Sequence, residues 1–297
     1  MIVTNLIGGL GNQLFQYACG HAVAARNGAP LRVATDLFEG YRLHQGYEVA
    51  RVFDIDTPTA GADDLRALLG PLRHRLARRG AERLRPGLWC QGRACFEPRV
   101  GAVALVERLG GDAYLHGYWQ SEYFFAEHAD SLRQALRFRT EASPRNAALL
   151  ARIDAGVSVG VHVRRGDYVA NPKNRAIYAE CSIAYYRAAI RLLRASHPEA
   201  AFYVFSDDPV WVRDTMHDAA ERIEFVDHNQ GPESYNDLRL MSRCAHLVMA
   251  NSSFSWWAAW LGERPGRTVV APRQWYADPA RGADLIPDRW RRMDNSG

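Results

Sequence analysis

Lysine is nearly missing from this chain: of its 37 basic residues, all but Lys173 are arginine. That bias is one of composition and singles out no function. Cysteine is sparse as well. Cys19, Cys90, Cys95, Cys181 and Cys244 are odd in number and scattered, with no C-x-x-C pair and no histidine at zinc-ligand spacing. This excludes a disulfide framework and reads as structural thiols in a reducing compartment. No apolar run reaches the roughly 18 residues of a membrane span, and the opening MIVTNLIGG has neither a basic n-region nor a cleavage site. A cytoplasmic location is expected. Internal repeats and low-complexity segments are also lacking. What is there is a chain of 297 residues, 47% hydrophobic, long enough for two domains with separate cores. Its net charge of +4 does not call for nucleic acid, although it suits an enzyme that attracts anionic substrates.

The organising stretch is VSVGVHVRRGDY, running from Val157 to Tyr168. Val157, Val159, Val161 and Val163 fit a buried strand of a parallel sheet, which the chain leaves through His162, Arg164, Arg165, Gly166 and Asp167. Open α/β sheets bind ligands at the C-terminal ends of their strands, and two guanidiniums beside an imidazole suit a pyrophosphate-like anion. The competing reading is a solvated turn with local ion pairs. Arg165-Gly166-Asp167 is also the cell-adhesion tripeptide, which would require an exposed turn outside the cell.

Residues 2–7 predict a strand, followed by Gly8-Gly9-Leu10-Gly11-Asn12-Gln13 and a helix over 14–27 with Gly28 as its C-cap. A dinucleotide fingerprint fitted from Gly9 fails at its third glycine, where Leu14 stands. Asn12 and Gln13 instead bring amides to a helix start, for sugar hydroxyls, for phosphate or simply as caps. A second strand is expected at 31–35, and Asp54-Ile55-Asp56 is a D-x-D triplet that holds a divalent metal in some glycosyltransferases. Seven arginines lie between Arg66 and Arg85. They read as a solvated face or, alternatively, as a patch for peripheral contact with an anionic inner membrane face or a lipid-linked substrate. A strand at 113–116 then runs into Gly117-Tyr118-Trp119-Gln120. This aromatic and amide mixture suits sugar binding if exposed and core packing if not. A helix follows over 124–136.

The pattern turns polar near Thr140, Ser143 and Pro144, which places a boundary between an N-terminal α/β domain, 1–142, and a C-terminal one, 143–297. In the latter, strands expected at 157–163, 201–205, 223–226, 247–249 and 268–271 alternate with helices at 176–195, 209–220, 235–244 and 254–261. That is a five-stranded doubly wound domain. Two further strands end in polar clusters. Ser206-Asp207-Asp208 offers carboxylates to ribose or a purine, or an N-cap. Asn251-Ser252-Ser253-Phe254 opens a helix whose first-turn N–H groups favour an anion.

GGLGNQLFQYA, HVRRGDY, FSDD and NSSFSWWAAWL, in that order, resemble the motifs of the α-1,2-fucosyltransferases of glycosyltransferase family 11. The resemblance implies a GT-B-like fold of two facing Rossmann-like domains, the donor GDP-β-L-fucose in the C-terminal one and the acceptor side in the N-terminal one. It implies inverting, metal-independent transfer to the 2-OH of a terminal galactose, with no cofactor. By motif, Arg164 resembles the donor-phosphate arginine, with His162 beside it; Ser252, Ser253 and Phe254 resemble the phosphate loop; Asn12 resembles an amide that reaches the donor. Asp237, fifteen residues before Ser252, resembles a guanine-reading acid by spacing. Donor contacts are thus expected from Asn12, Arg164, Arg165, Asp207, Asp237, Ser252, Ser253 and Phe254, and acceptor contacts from Gln13, Trp119 and Gln120. Arg164, His162 and Asp167 are the catalytic candidates, the general base being left open. The alternative is a non-catalytic sugar- or nucleotide-binding protein.

Overall fold

A computed structural model describes residues 1–41, 43–74, 77, 78, 80, 93–98, 102–166, 172–279 and 281–297. It divides into two compact units, Met1–Thr140 and Glu141–Gly297.

The N-terminal unit is built on strands β1 (Ile2–Asn5), β2 (Leu31–Ala34), β3 (Ala94–Phe96) and β4 (Ala113–His116), all parallel in the order β2-β1-β4-β3. Every residue of β1 is buried, as a parallel strand covered on both faces requires. Helix α1 (Leu10–Arg26) begins four residues earlier than expected, because Gly9 is its N-cap and Asn12 and Gln13 fall inside the first turn. Neither amide therefore caps the helix. α1 lies close against β1: a Cβ on Gly20 would sit 2.8 Å from Thr4, and the Thr4 hydroxyl donates to the Gln16 carbonyl at 2.8 Å. The helix expected over 124–136 is broken into 3₁₀ turns at Glu122–Phe124 and Ala126–His128 before Ala129–Ala135, the first turn capped by Ser121. β3, only three residues long, is too short to show a period in sequence.

In the C-terminal unit, β5 (Ser158–Val163), β6 (Ala201–Ser206), β7 (Ile223–Val226), β8 (His246–Val248), β9 (Val269–Pro272) and β10 (Arg291–Met293) form a parallel sheet ordered β10-β9-β8-β5-β6-β7. It has six strands rather than the expected five. Arg291, Arg292 and Met293 are exposed or half-buried, so β10 carries no apolar alternation. From β5 the chain winds outward through β6 and β7, then returns to β8 on the other side, which makes the β5/β8 border the topological switch point. Val159, Val161 and Val163 join Tyr185, Ile190, Phe202 and Val204 in one core cluster. α2 (Ile183–Ser196) starts after Ser182, whose hydroxyl accepts from the Tyr185 N–H, so the helix expected from 176 is shortened.

The last long helix, α3 (Ser253–Leu261), is apolar all round, and such a helix has to be enclosed. Trp256, Trp257 and Trp260 are each 1% exposed or less, and Trp256 Nε1 donates to the Leu285 carbonyl at 2.7 Å. Replacing any of the three with alanine should cost about 3–5 kcal/mol. The helix start is thereby held rigidly at the end of β8.

Candidate functional site

The three polar strand exits lie on β8, β5 and β6, which are neighbours at the switch point. Two contacts show that they converge. The His162 ring lies 5.8 Å from the Phe254 ring, joining the β5 exit to the start of α3. Arg164 Nε lies 3.2 Å from Asp207 Oδ2, joining the β5 exit to that of β6.

Asp207 organises this edge. Its two carboxylate oxygens accept from the N–H groups of Arg165, at 2.9 Å, and Gly166, at 3.0 Å. A Cβ at Gly166 would approach Asp207 Oδ2 to 2.9 Å, so only glycine lets the turn wrap this closely. The Arg-Arg-Gly turn is therefore built around a carboxylate. Asp208 caps the following helix, accepting from the Trp211 N–H at 3.2 Å. The two arginines part company here: Arg165 stacks over the Trp211 ring at 4.3 Å and pairs with Asp208 at 3.5 Å, while Arg164 stays with Asp207. Asp167 lies outside the described residues.

His162 is buried, and its Nδ1 has no hydrogen-bond partner. Burial, with the Arg164 charge beside it, lowers its pKa to about 4, so the ring is neutral at neutral pH. Ser252, the N-cap of α3, makes no side-chain cap bond, and a helix start with free first-turn N–H groups is chemically suited to an anion. Asn251 has a different task. Its amide donates to the Ala179 and Trp275 carbonyls at 2.6 and 3.0 Å, pinning the loop from behind.

Asp237 is in the first turn of the helix Tyr235–Arg243, where it accepts from Asn229 Nδ2 at 2.8 Å. Asn229 is held in turn by Asn146, which also bonds His228. Burial raises the Asp237 carboxyl to about 7. Spacing had singled out Asp237, whereas the amides that aim it have no signal in sequence.

The N-terminal unit has a polar edge of its own, where amides at the start of α1 lie beside the exit of β4 and the Glu97 carboxylate accepts from the Tyr118 N–H at 2.6 Å. Gly8, at φ +88, turns the chain into α1, and a Cβ there would lie 2.8 Å from Asn12 Nδ2. Asn12 Oδ1 accepts from Gln120 Nε2 at 2.9 Å. Gln13 is fully buried, donates to the Gly8 and Gly46 carbonyls at 2.8 and 2.7 Å and accepts from the Glu48 N–H at 2.8 Å. It is a staple and not the substrate-facing amide expected of it. Trp119 also departs from expectation. At φ +53 its backbone turns the indole inward, where it is completely enclosed and edge-on to Phe124 at 5.4 Å, so it offers no stacking face. Asp54 and Asp56 are exposed on either side of a buried Ile55, and Asp54 pairs with Arg139 at 3.8 Å. Among the described residues no group of three acids, histidines or cysteines is arranged to hold a metal.

Of the arginine-rich run, Arg66, Arg73 and Arg78 are described and the other four lie outside the described residues. Arg78 belongs to neither a solvated face nor a lipid patch: it is buried, pairs with Asp36 and donates to the Tyr114 hydroxyl at 2.7 Å. No helix among the described residues is long and apolar enough to cross a membrane.

A parallel α/β chain with a cationic, hydroxyl-bearing edge at its switch point is built in the manner of a protein that binds an anionic ligand. Comparison with known proteins makes this specific. The model of glycosyl transferase family 11 matches residues 108–291. The chain is 31% identical over 300 residues to an alpha-1,2-colitosyltransferase of Escherichia coli, covering 99% of each chain. It is 37% identical over 134 residues to the O-antigen biosynthesis glycosyltransferase WbnK of Escherichia coli, covering 45% of this chain and 43% of that protein. The chain belongs to glycosyl transferase family 11. Its fold is like that of the fucosyltransferase NodZ from Bradyrhizobium, with a TM-score of 0.53 and 17% identity over 86% of this chain and 91% of that one.

Proposed function

We propose that this chain is an α-1,2-fucosyltransferase, which transfers L-fucose from GDP-β-L-fucose to the 2-OH of a terminal galactose with inversion at the anomeric carbon. The observation that carries this reading is the convergence of Arg164, His162 and Ser252 at the switch point, through the Arg164–Asp207 and His162–Phe254 contacts. Breaking a sugar–phosphate bond leaves a GDP trianion and an oxocarbenium-like sugar, so stabilising charge on the β-phosphate is the main catalytic demand. Arg164, oriented by Asp207, supplies one positive partner. The start of α3, with the Ser252 and Ser253 hydroxyls and Phe254 packed on His162, supplies a second. Together they meet the charge without a metal, and no cofactor enters the step.

His162, neutral and buried, is poorly matched to proton abstraction at neutral pH and acts better as a hydrogen-bonding partner of the phosphate. Asp237 reads the guanine, its carboxylate accepting the base's paired N–H donors once ionised. Arg165 and Asp207 shape the site through the turn they hold. Asn12 gives its amide to a sugar hydroxyl from the N-terminal unit.

The supporting assay is GDP release from GDP-fucose in EDTA, with and without a panel of β-galactosides. Acceptor-dependent release with an α-1,2-fucosylated product is the expected result. Loss of activity in EDTA with rescue by Mn²⁺ would overturn the metal-free step, and GDP binding without product on any acceptor would favour a non-catalytic binding protein. A second reading of the donor has a specific observation behind it, the likeness to an alpha-1,2-colitosyltransferase along 99% of the chain. Competition between GDP-fucose and GDP-colitose, read as the ratio of kcat/KM, decides between the two sugars.

A further inference from the structure

The proposed mechanism uses the Asp237 carboxylate but not the polar chain behind it. That chain runs within the C-terminal unit from Asn146, in the helix Pro144–Asp154, to His228 and Asn229, just past the end of β7, and on to Asp237 in the helix Tyr235–Arg243. Asn146 and Asn229 are both buried. A buried amide has to match its donors and acceptors to its surroundings, so the orientation of each follows from its partners.

The two amides pair reciprocally. Asn146 Nδ2 donates to Asn229 Oδ1 at 2.8 Å, and Asn229 Nδ2 donates to Asn146 Oδ1 at 3.1 Å. Asn229 Nδ2 also donates to Asp237 Oδ1 at 2.8 Å, and an ionised carboxylate can only accept. At the other end His228 Nε2 lies 2.8 Å from Asn146 Oδ1, an oxygen that likewise only accepts, so Nε2 carries the ring proton. Turning Asn229 over would set its Oδ1 against the carboxylate and against Asn146 Oδ1. Three residues thus lock one N–H onto Asp237.

The charges nearby do not supply this support. Asp227 disfavours ionisation of Asp237 and is itself paired with Arg213 and, at 4.0 Å, with Arg145. Burial and the Arg145 charge lower the His228 pKa against the pull of Asp227 and Glu224, so this ring is mainly neutral at neutral pH. Burial pushes the Asp237 carboxyl up to about 7, and the Asn229 bond opposes that rise.

We propose that Asn229 is a positioning residue for recognition of the donor's base, its amide locked by Asn146 and His228 so that an N–H always meets the Asp237 carboxylate and sets it to accept from guanine. This rests on the donor site proposed above, in which Asp237 reads the base. Asn229, Asn146 and His228 act through Asp237.

The test is calorimetric titration of GDP at pH 7 and pH 8.5 into the wild type, Asn229→Ala, His228→Ala, His228→Gln and Asp237→Asn, each read as a ratio to wild type at the same pH. The ratio cancels the titration of GDP itself. Loss of a hydrogen bond to a charged group should move the Asp237 carboxyl up by about one pH unit. Asn229→Ala should then bind GDP about fivefold more weakly at pH 7 and within about twofold of wild type at pH 8.5. His228→Ala should lose about twofold at pH 7 alone, and His228→Gln, whose amide can again donate to Asn146 Oδ1, should recover it. If Asn229→Ala does not fold, the His228 pair decides. A GDP affinity of Asn229→Ala unchanged at pH 7 overturns the proposal, and so does one reduced equally at both pH values, which marks a merely structural residue. A His228→Ala affinity unchanged at pH 7, or a loss that His228→Gln leaves unrepaired, also overturns it. If Asp237→Asn itself binds GDP as wild type does, the reading of the base fails first and takes the proposal with it.

Discussion

The two units each present a polar edge beyond the C-terminal ends of parallel strands, built from different side chains. In the C-terminal unit the edge is ionic: Arg164 and Arg165 are paired to Asp207 and Asp208, and an open helix start lies alongside. In the N-terminal unit side-chain amides predominate, Gln13, Gln16 and Gln120 bonding to Gly8, Gly117 and Asn12, while Glu97 accepts from the Tyr118 N–H and Asp36 pairs with Arg78. Under the proposed function the edge that carries paired arginines takes the leaving diphosphate.

The comparison breaks most sharply at Arg164. Arg164→Ala should lower kcat/KM for GDP-fucose by about 10² or more, as removal of one transition-state donor does elsewhere, with the loss mainly in kcat. A change within a few-fold would leave the ionic edge without its proposed role.

Asp237→Asn sharpens the same side and should have the next largest effect. Guanine offers two donors to an ionised carboxylate, and an amide presents only one acceptor, so GDP affinity should fall by about tenfold. Stability should move the other way. With its folded-state pKa raised to about 7, Asp237 holds a proton in the fold between roughly pH 4 and 7 that the unfolded chain has released. Its contribution to stability is therefore lost as pH rises through that window, and the penalty is complete above pH 7. Thermal unfolding at pH 8 should thus show a higher midpoint for Asp237→Asn than for wild type, and the gain should vanish near pH 4. GDP binding to the wild type should also weaken as pH falls below about 7, because the carboxyl must give up its proton to read the base.

Trp119→Phe should have the smallest functional effect. The indole is enclosed, and its N–H has no partner to lose, so acceptor KM should change by less than about twofold. The lost volume should instead appear as destabilisation of about 1–2 kcal/mol in chemical denaturation. A large rise in acceptor KM would show that this ring reaches the sugar after all.

The arginine-bearing edge is easier to read in sequence than the amide-bearing one, for physical reasons. A β-branched run such as Val157 to Val163 followed at once by Arg164 and Arg165 announces both a buried strand and where it ends. The placing of Gly46 and Glu48 against the glycine turn depends on bonds such as Gln13 to Gly46, 33 residues apart, with no periodicity to announce them. Trp119 shows a second limit. An aromatic in a loop reads the same in sequence whether it turns in or out, and here the backbone conformation decides. Gln13 shows a further limit, because a buried amide that staples backbone and an exposed one that grips a ligand look alike in a motif. β10 was missed because nothing in Arg291, Arg292 and Met293 alternates.

The most direct test of the proposed donor site is calorimetric titration of GDP into two variants, Ser253→Asp at the start of α3 and, as a control in the N-terminal unit, His44→Ala. An added carboxylate in the first turn of α3 favours the helix, so the fold should hold. The same charge would repel a phosphate placed there. The account predicts that Ser253→Asp loses GDP binding by about 10² or more while His44→Ala binds as wild type does. Undiminished GDP affinity in Ser253→Asp would contradict it.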